Sequence, residues 1–229
     1  MCHGWRRPGG KNDSHGEVRR GSLGSGLYSG WYQKTIFDAQ RCPPQLRRKA
    51  PILAKRNLAE ISLTFLLFLW VSQQTLGVVP LEKKIILRNT EVTFSVWDLG
   101  GQREFLSMLP LVCNEAAAIF FMFDLSNKAS LRSVKEWYRQ ARGLNRSAAA
   151  FLVGTKFDQF ILLPKEKQAE IDRQARKYAK AMKASIVFTS STHSVNVQNL
   201  FKVVLAKVFD LRSTLTKIDT VGDPLLMFN

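Results

Sequence analysis

The sequence predicts an α/β protein built on a doubly wound, mostly parallel sheet, and three observations carry that prediction. An alternating stretch at 92–97 and short apolar runs at 117–123, 151–154 and 186–188 have the length and composition of strands. Between and after them, apolar residues recur at helical spacing: Leu131, Val134, Trp137, Tyr138, Ala141 and Leu144, then Ile171, Ala175, Tyr178, Ala179 and Met182, then Val197, Leu200, Phe201, Val204, Leu205 and Val208. The third observation is where the polar residues fall. Asp98, Thr155 and Ser190 each follow an apolar run, and loops at the carboxyl ends of parallel strands face one crevice.

Composition bounds the rest. A chain of 229 residues with 45% hydrophobic content is long enough for one domain with extensions. Its net charge of +16 is unevenly placed: residues 1–57 hold 12 Lys/Arg against 3 Asp/Glu, and residues 58–229 hold 22 against 15. Gly, Ser and Arg dominate 15–30, so residues 1–57 read as a basic, disordered extension without the material for a core. A basic arm can meet nucleic acid or an anionic membrane. No ordered aromatic spacing or nucleic-acid motif accompanies this one, and no nucleic-acid partner is expected. Cys2, Cys42 and Cys113 are too scattered for a metal site and read as free thiols in a reducing, cytoplasmic setting.

Before about Gln40 no periodicity predicts an element. Residues 4–11 superficially suggest a phosphate-binding loop, but Gly9 is followed by Gly10 rather than Lys, and Lys11 by Asn12 rather than Ser or Thr. Residues 41–56 are basic and broken by Pro43, Pro44 and Pro51, as in a linker. The most apolar run of the chain, 61–71, lies in a segment 58–73 of unclear role. It is shorter than the ~20 residues a membrane span needs and lies too far in for a cleaved signal, so a buried helix or strand is preferred to a membrane anchor. Residues 83–88 then alternate as an edge strand, and Asn89-Thr90 turns into the next.

The chemistry centres on Phe94-Ser95-Val96-Trp97-Asp98-Leu99-Gly100-Gly101-Gln102-Arg103-Glu104. A strand that ends on a carboxylate gives that carboxylate a task, and in a phosphate site the task is Mg²⁺. Paired glycines let the backbone approach a ligand, where an N–H can bond a terminal phosphate oxygen. Gln102 offers a neutral amide able to orient a water. On its own the stretch is equally a strand and a Gly-Gly hairpin turn. A second stretch decides between them: 151–158 runs Phe-Leu-Val-Gly-Thr-Lys-Phe-Asp, and an Asp at 158 can accept both donors on the edge of guanine while the stem of Lys156 lies along the base.

Together the two stretches resemble the Ras superfamily of small GTPases. Asp98-x-x-Gly101-Gln102 is similar to its γ-phosphate motif and Thr155-Lys156-x-Asp158 to its guanine motif, with Thr where the family has Asn. That replacement implies weakened base affinity. The strings at 97–105, 108–113, 120–125, 136–142 and 178–184 resemble the septum-promoting, mitotic-exit branch, from about Gln74 onward. The resemblance implies a Ras-like domain over 74–209 with a tail at 210–229, and GTP/GDP with Mg²⁺ as ligands. It assigns Gln102 to water placement and Thr75, the switch threonine, with Asp98 to Mg²⁺. Gly101, Thr155, Lys156, Asp158, Ser190, Ser191 and Thr192 become nucleotide contacts, while His193 reads as structural. It further implies a downstream protein kinase, a two-part GTPase-activating complex, and a cytoplasmic location at the spindle pole or microtubule-organising centre. The tail lacks a C-terminal Cys, so no lipid anchor is implied.

One part of the pattern is absent. The first strand, the phosphate loop and the first helix are not recognisable before Thr75, leaving the domain incomplete. Charge-assisted hydrogen bonds bring about 1.5–3 kcal/mol each, against the roughly 12 kcal/mol of nanomolar binding. Two accounts fit: an ordinary GTP/GDP switch whose first segment has been replaced, or a nucleotide-free pseudo-GTPase, or truncated isoform, that serves as an interaction scaffold.

Overall fold

The computed structural model describes residues 33–38, 75–87 and 90–228. The apolar run 61–71, the cysteines Cys2 and Cys42, and most of the basic extension lie outside them. Strands Gln33–Asp38 (β1), Val78–Leu87 (β2), Thr90–Gly100 (β3), Ala118–Asp124 (β4), Ala149–Thr155 (β5), Ser185–Phe188 (β6) and Leu226–Met227 (β7) form one sheet. Their order is β2-β3-β1-β4-β5-β6-β7. Helices Leu109–Cys113 (α1), Lys128–Leu144 (α2), Phe157–Phe160 (α3), Lys165–Met182 (α4) and Val197–Val208 (α5) connect the strands from β3 onward. None of the described helices is long and apolar enough to cross a membrane.

The period-2 geometry of a strand puts alternate side chains on opposite faces. Along β4, Ile119, Phe121 and Phe123 enter a core with Leu131, Trp137, Ile171 and Met182, under α2 and α4. Ala118, Phe120 and Met122 enter a second core with Val197, Leu200, Phe201 and Val204, under α5. Both faces are thus covered, which explains why β4 reads as one continuous apolar run. The parallel pairs β4–β5 and β5–β6 place Asp124 beside Thr155 and Gly154 beside Phe188. Gly154 is required there: a Cβ would stand 2.8 Å from both Leu125 and Phe188 side chains.

The middle of the sheet holds a strand that the sequence did not announce, in the place where the resemblance implies a parallel first strand. β1 fills the place between β3 and β4, pairing from Gln33↔Gly100 to Asp38↔Ser95 and at Ile36↔Ile119 and Phe37↔Ala118. It runs antiparallel to both neighbours, and it lies within the stretch expected to be disordered. The physical reason for occupancy is that two facing strands leave rows of N–H and C=O groups that must be paired, and a strand in either direction satisfies them. Direction decides the chemistry. A phosphate loop leaves the carboxyl end of its strand, and here that end lies beside Ser95 and Ala118, at the edge away from Gly100.

Asn145 joins α1 to the strand layer from a buried position. Its Nδ2 donates to the carbonyls of Cys113 (2.9 Å) and Ala116 (3.0 Å). Its Oδ1 accepts from the backbone of Ser147 and Ala148, each at 3.0 Å. Asn145→Ala removes both buried bonds of its amide nitrogen and leaves the Ala116 carbonyl and the Ala148 N–H without the partners named here, so a loss of about 2 kcal/mol is expected in urea denaturation. A change below about 1 kcal/mol would show that water takes over these groups.

Candidate functional site

The carboxyl end of β3 carries the first half of the candidate site. Asp98 is 3% exposed, and the Thr75 hydroxyl donates to its Oδ2 at 2.9 Å. Its Oδ1 is buried without a hydrogen-bond partner among the described residues. Burial drives the carboxyl from its ordinary 3.8 to about 6, with the Thr75 bond acting in the opposite direction. Gly100 brings the segment 75–77 close. Its N–H donates to Gly77 O at 2.9 Å, and a Cβ there would sit 2.3 Å from Thr75 O. Gly101 and Gln102 follow at once, ahead of the 3₁₀ turn Arg103–Met108. The Gln102 Oε1 is likewise buried without a partner.

The second half sits on β5 and β6. Thr155 closes β5 and turns its hydroxyl to Phe123 O at 3.1 Å. Lys156 takes the left-handed conformation (φ +58°) and sends its Nζ to Asp124 Oδ2 at 2.8 Å. Asp158 accepts from the Ser190 hydroxyl at 2.6 Å, so two loops from different strands meet at one carboxylate. Ser190 is buried, Ser191 half-buried and Thr192 exposed. The Thr192 hydroxyl lies 3.0 Å from Ser190 Oγ and 2.9 Å from His193 Nδ1. The Thr75–Asp98 pair, with Gly101 and Gln102 next along the chain, and the Thr155–Lys156–Asp158–Ser190 group thus both lie at carboxyl ends of strands.

Asp124 was not singled out in the sequence, although it gives the same signal as Asp98: an acid closing an apolar run. Its other oxygen, Oδ1, accepts from the Ser126 N–H at 2.8 Å and the Ser126 hydroxyl at 2.6 Å, and its own N–H donates to Ser130 Oγ at 2.9 Å. A carboxylate fixed this way holds Lys156 in place between Thr155 and Asp158.

The profile of the Ras family matches residues 62–210. The chain belongs to the Ras family. Septum-promoting GTP-binding protein 1 of Schizosaccharomyces pombe is 64% identical over 157 residues, covering 69% of this chain and 79% of that protein. The Ras-related proteins RABF2a and RABF2b of Arabidopsis thaliana are 29% and 30% identical over 136 residues, covering 58% of this chain and 65% of each. Guanine-nucleotide binding is the property of a Ras family domain, and the second half of the site has the donors and acceptors for a base. The first half fits a small divalent cation, because it sets hard oxygens together and leaves the buried Asp98 Oδ1 without another partner among the described residues. Among the described residues nothing supplies the phosphate-cradling loop: the strand that would lead into it runs the other way.

Proposed function

We propose that this Ras family chain is a small GTP-binding protein of septation and cytokinesis signalling that alternates between GTP and GDP upstream of a protein kinase. The observation that carries the reading is the bond from Ser190 to Asp158, which aims a carboxylate and a serine loop at one place. Asp158 accepts both edge donors of guanine, Lys156 flanks the base, and backbone groups of Ser191 and Thr192 close around it while the Ser190 hydroxyl steadies Asp158. Thr155, whose hydroxyl is turned to the backbone, contributes less than an amide side chain would. Gly101 offers its N–H to the terminal phosphate. Asp98 and Thr75 would hold Mg²⁺, which when bound neutralises charge on the phosphate oxygens. The Oε1 of Gln102, without a partner among the described residues, accepts a proton of the attacking water and aligns it. The name of the 64%-identical relative supports the place in septation. A two-part GTPase-activating complex would end the signal, and a cytoplasmic position at the spindle pole or microtubule-organising centre would be its site.

Chromatography of nucleotide released from denatured, full-length protein tests the reading, with near-stoichiometric GDP or GTP as the expected result. Gln102→Leu should slow GTP turnover on the order of a hundredfold while GDP binding is kept. Unchanged turnover would remove Gln102 from the chemistry.

The reversed β1 favours a second reading, a nucleotide-free scaffold that retains partner surfaces. Folded protein that releases no nucleotide, and binds the kinase equally with GTP or GDP present, would select it.

A further inference from the structure

β6 would be an edge strand but for the last residues of the chain. β7 pairs antiparallel with it through Ile186↔Met227 and Val187↔Leu226, and Phe188 N donates to Leu225 O at 2.9 Å. Leu225 and Leu226 are 0% and 1% exposed and enter the two cores on opposite faces of the sheet. Upstream, Ile218 exchanges both backbone bonds with Leu226, at 3.1 and 3.0 Å, closing a hairpin whose turn uses Gly222 at φ +93°. Arg176 of α4 pairs with Asp219 through its side chain and donates to Asp219 O at 3.0 Å. Nothing in this geometry resembles a loose tail. It is a strap over the edge next to the base-facing loop.

Asn196 connects the two. It stands at the start of α5 in the left-handed conformation (φ +54°), which Asn tolerates better than most residues. Its Nδ2 faces three carbonyls: Pro224 at 2.7 Å, Phe188 at 3.1 Å and Leu225 at 3.4 Å. Two belong to the strap and one to the end of β6. The preceding residue, Val195, is tied to Ser190 by two backbone bonds, N to O at 2.9 Å and O to N at 3.1 Å. Ser190 in turn holds Asp158. A continuous series of bonds thus runs from the strap through Asn196, Val195 and Ser190 to the carboxylate assigned to guanine.

We propose that the C-terminal hairpin 218–227 sets the base-facing loop through Asn196, making Asn196 a positioning residue for guanine nucleotide and the strap a part of the site. The strap's hold on the loop stands on the geometry alone, and its effect on nucleotide rests on the function proposed above. A factor that pulled the strap from β6 would loosen nucleotide without touching it.

The test uses the full chain carrying Asn196→Gly, which keeps the left-handed backbone and removes the amide, and Asn196→Asp, which keeps the shape and removes the donors. Native-state hydrogen exchange at the Val195 and Ser190 amides should quicken roughly tenfold in both, while amides of β4 stay as in the wild type. Dissociation of a fluorescent GDP should quicken by a similar factor. Exchange at Val195 unchanged in either folded variant overturns the strap's hold on the loop. Faster exchange with unchanged GDP dissociation overturns the positioning role. Wild-type protein that binds no GDP defeats the proposed function and the positioning role together, and the exchange result then still decides the strap. Should Asn196→Gly fail to fold, Asn196→Asp alone decides by the same outcomes.

Discussion

Asp98→Asn should raise the stability of the metal-free protein at pH 7 by about 3 kcal/mol, a large fraction of what a domain of this size has in total. The carboxyl is buried, and its folded-state pKa of about 6 lies above the ordinary 3.8. Between these two values the folded state binds the proton and the unfolded state does not, so stability falls as pH rises. It is greatest below about 4, where the group is neutral in both states, and the whole penalty is present above about 6. At about 1.4 kcal/mol per pH unit, that interval amounts to ~3 kcal/mol. Asparagine keeps the shape and an acceptor for Thr75, and it carries no charge to desolvate. Urea midpoints measured in EDTA from pH 4 to 8 should therefore decline in the wild type relative to the variant, the difference isolating this one group. Parallel profiles would mean that water reaches Asp98. With Mg²⁺ and nucleotide present the order should reverse, because the cation compensates the buried charge of the aspartate and has nothing to compensate in the variant.

That instability also explains which parts of the molecule were legible in the sequence. Asp98 could be read because it closes a strand of largely apolar residues, where a carboxylate contradicts its neighbours unless it has a ligand. Asp158 and Ser190 were legible for the same reason, since each interrupts a pattern at a strand's end. β1 was not legible. Gln-Lys-Thr-Ile-Phe-Asp is too short to show a period, and nothing local fixes which way it runs: its direction depends on the gap between β3 and β4. β7 has two residues, Leu226 and Met227, and depends wholly on β6. Asn196 looks like an ordinary helix cap until the strap carbonyls are seen around its amide. Local chemistry announces itself in sequence, whereas an element whose partners are remote does not.

Asp158→Asn should weaken guanine nucleotide by a hundredfold or more and turn the site toward xanthine. The carboxylate is acceptor-only, which suits the two adjacent donors on the guanine edge and rejects adenine, whose edge at that place lacks them. An amide presents one acceptor and one donor. Its NH₂ group then faces the amino group of guanine, one charge-assisted bond is lost and a donor-donor clash replaces it, a penalty on the order of 3 kcal/mol. Xanthine has a carbonyl at that position and meets the amide correctly. The fold should be little affected, because Ser190 can still donate to the amide oxygen in place of Asp158 Oδ1. Fluorescent GDP and XDP titrated against both proteins give the exchange of preference directly. Asp158→Asn with GDP affinity equal to the wild type would move the base away from Asp158, and the pairing of Ser190 with Asp158 would then be no more than the join between two loops.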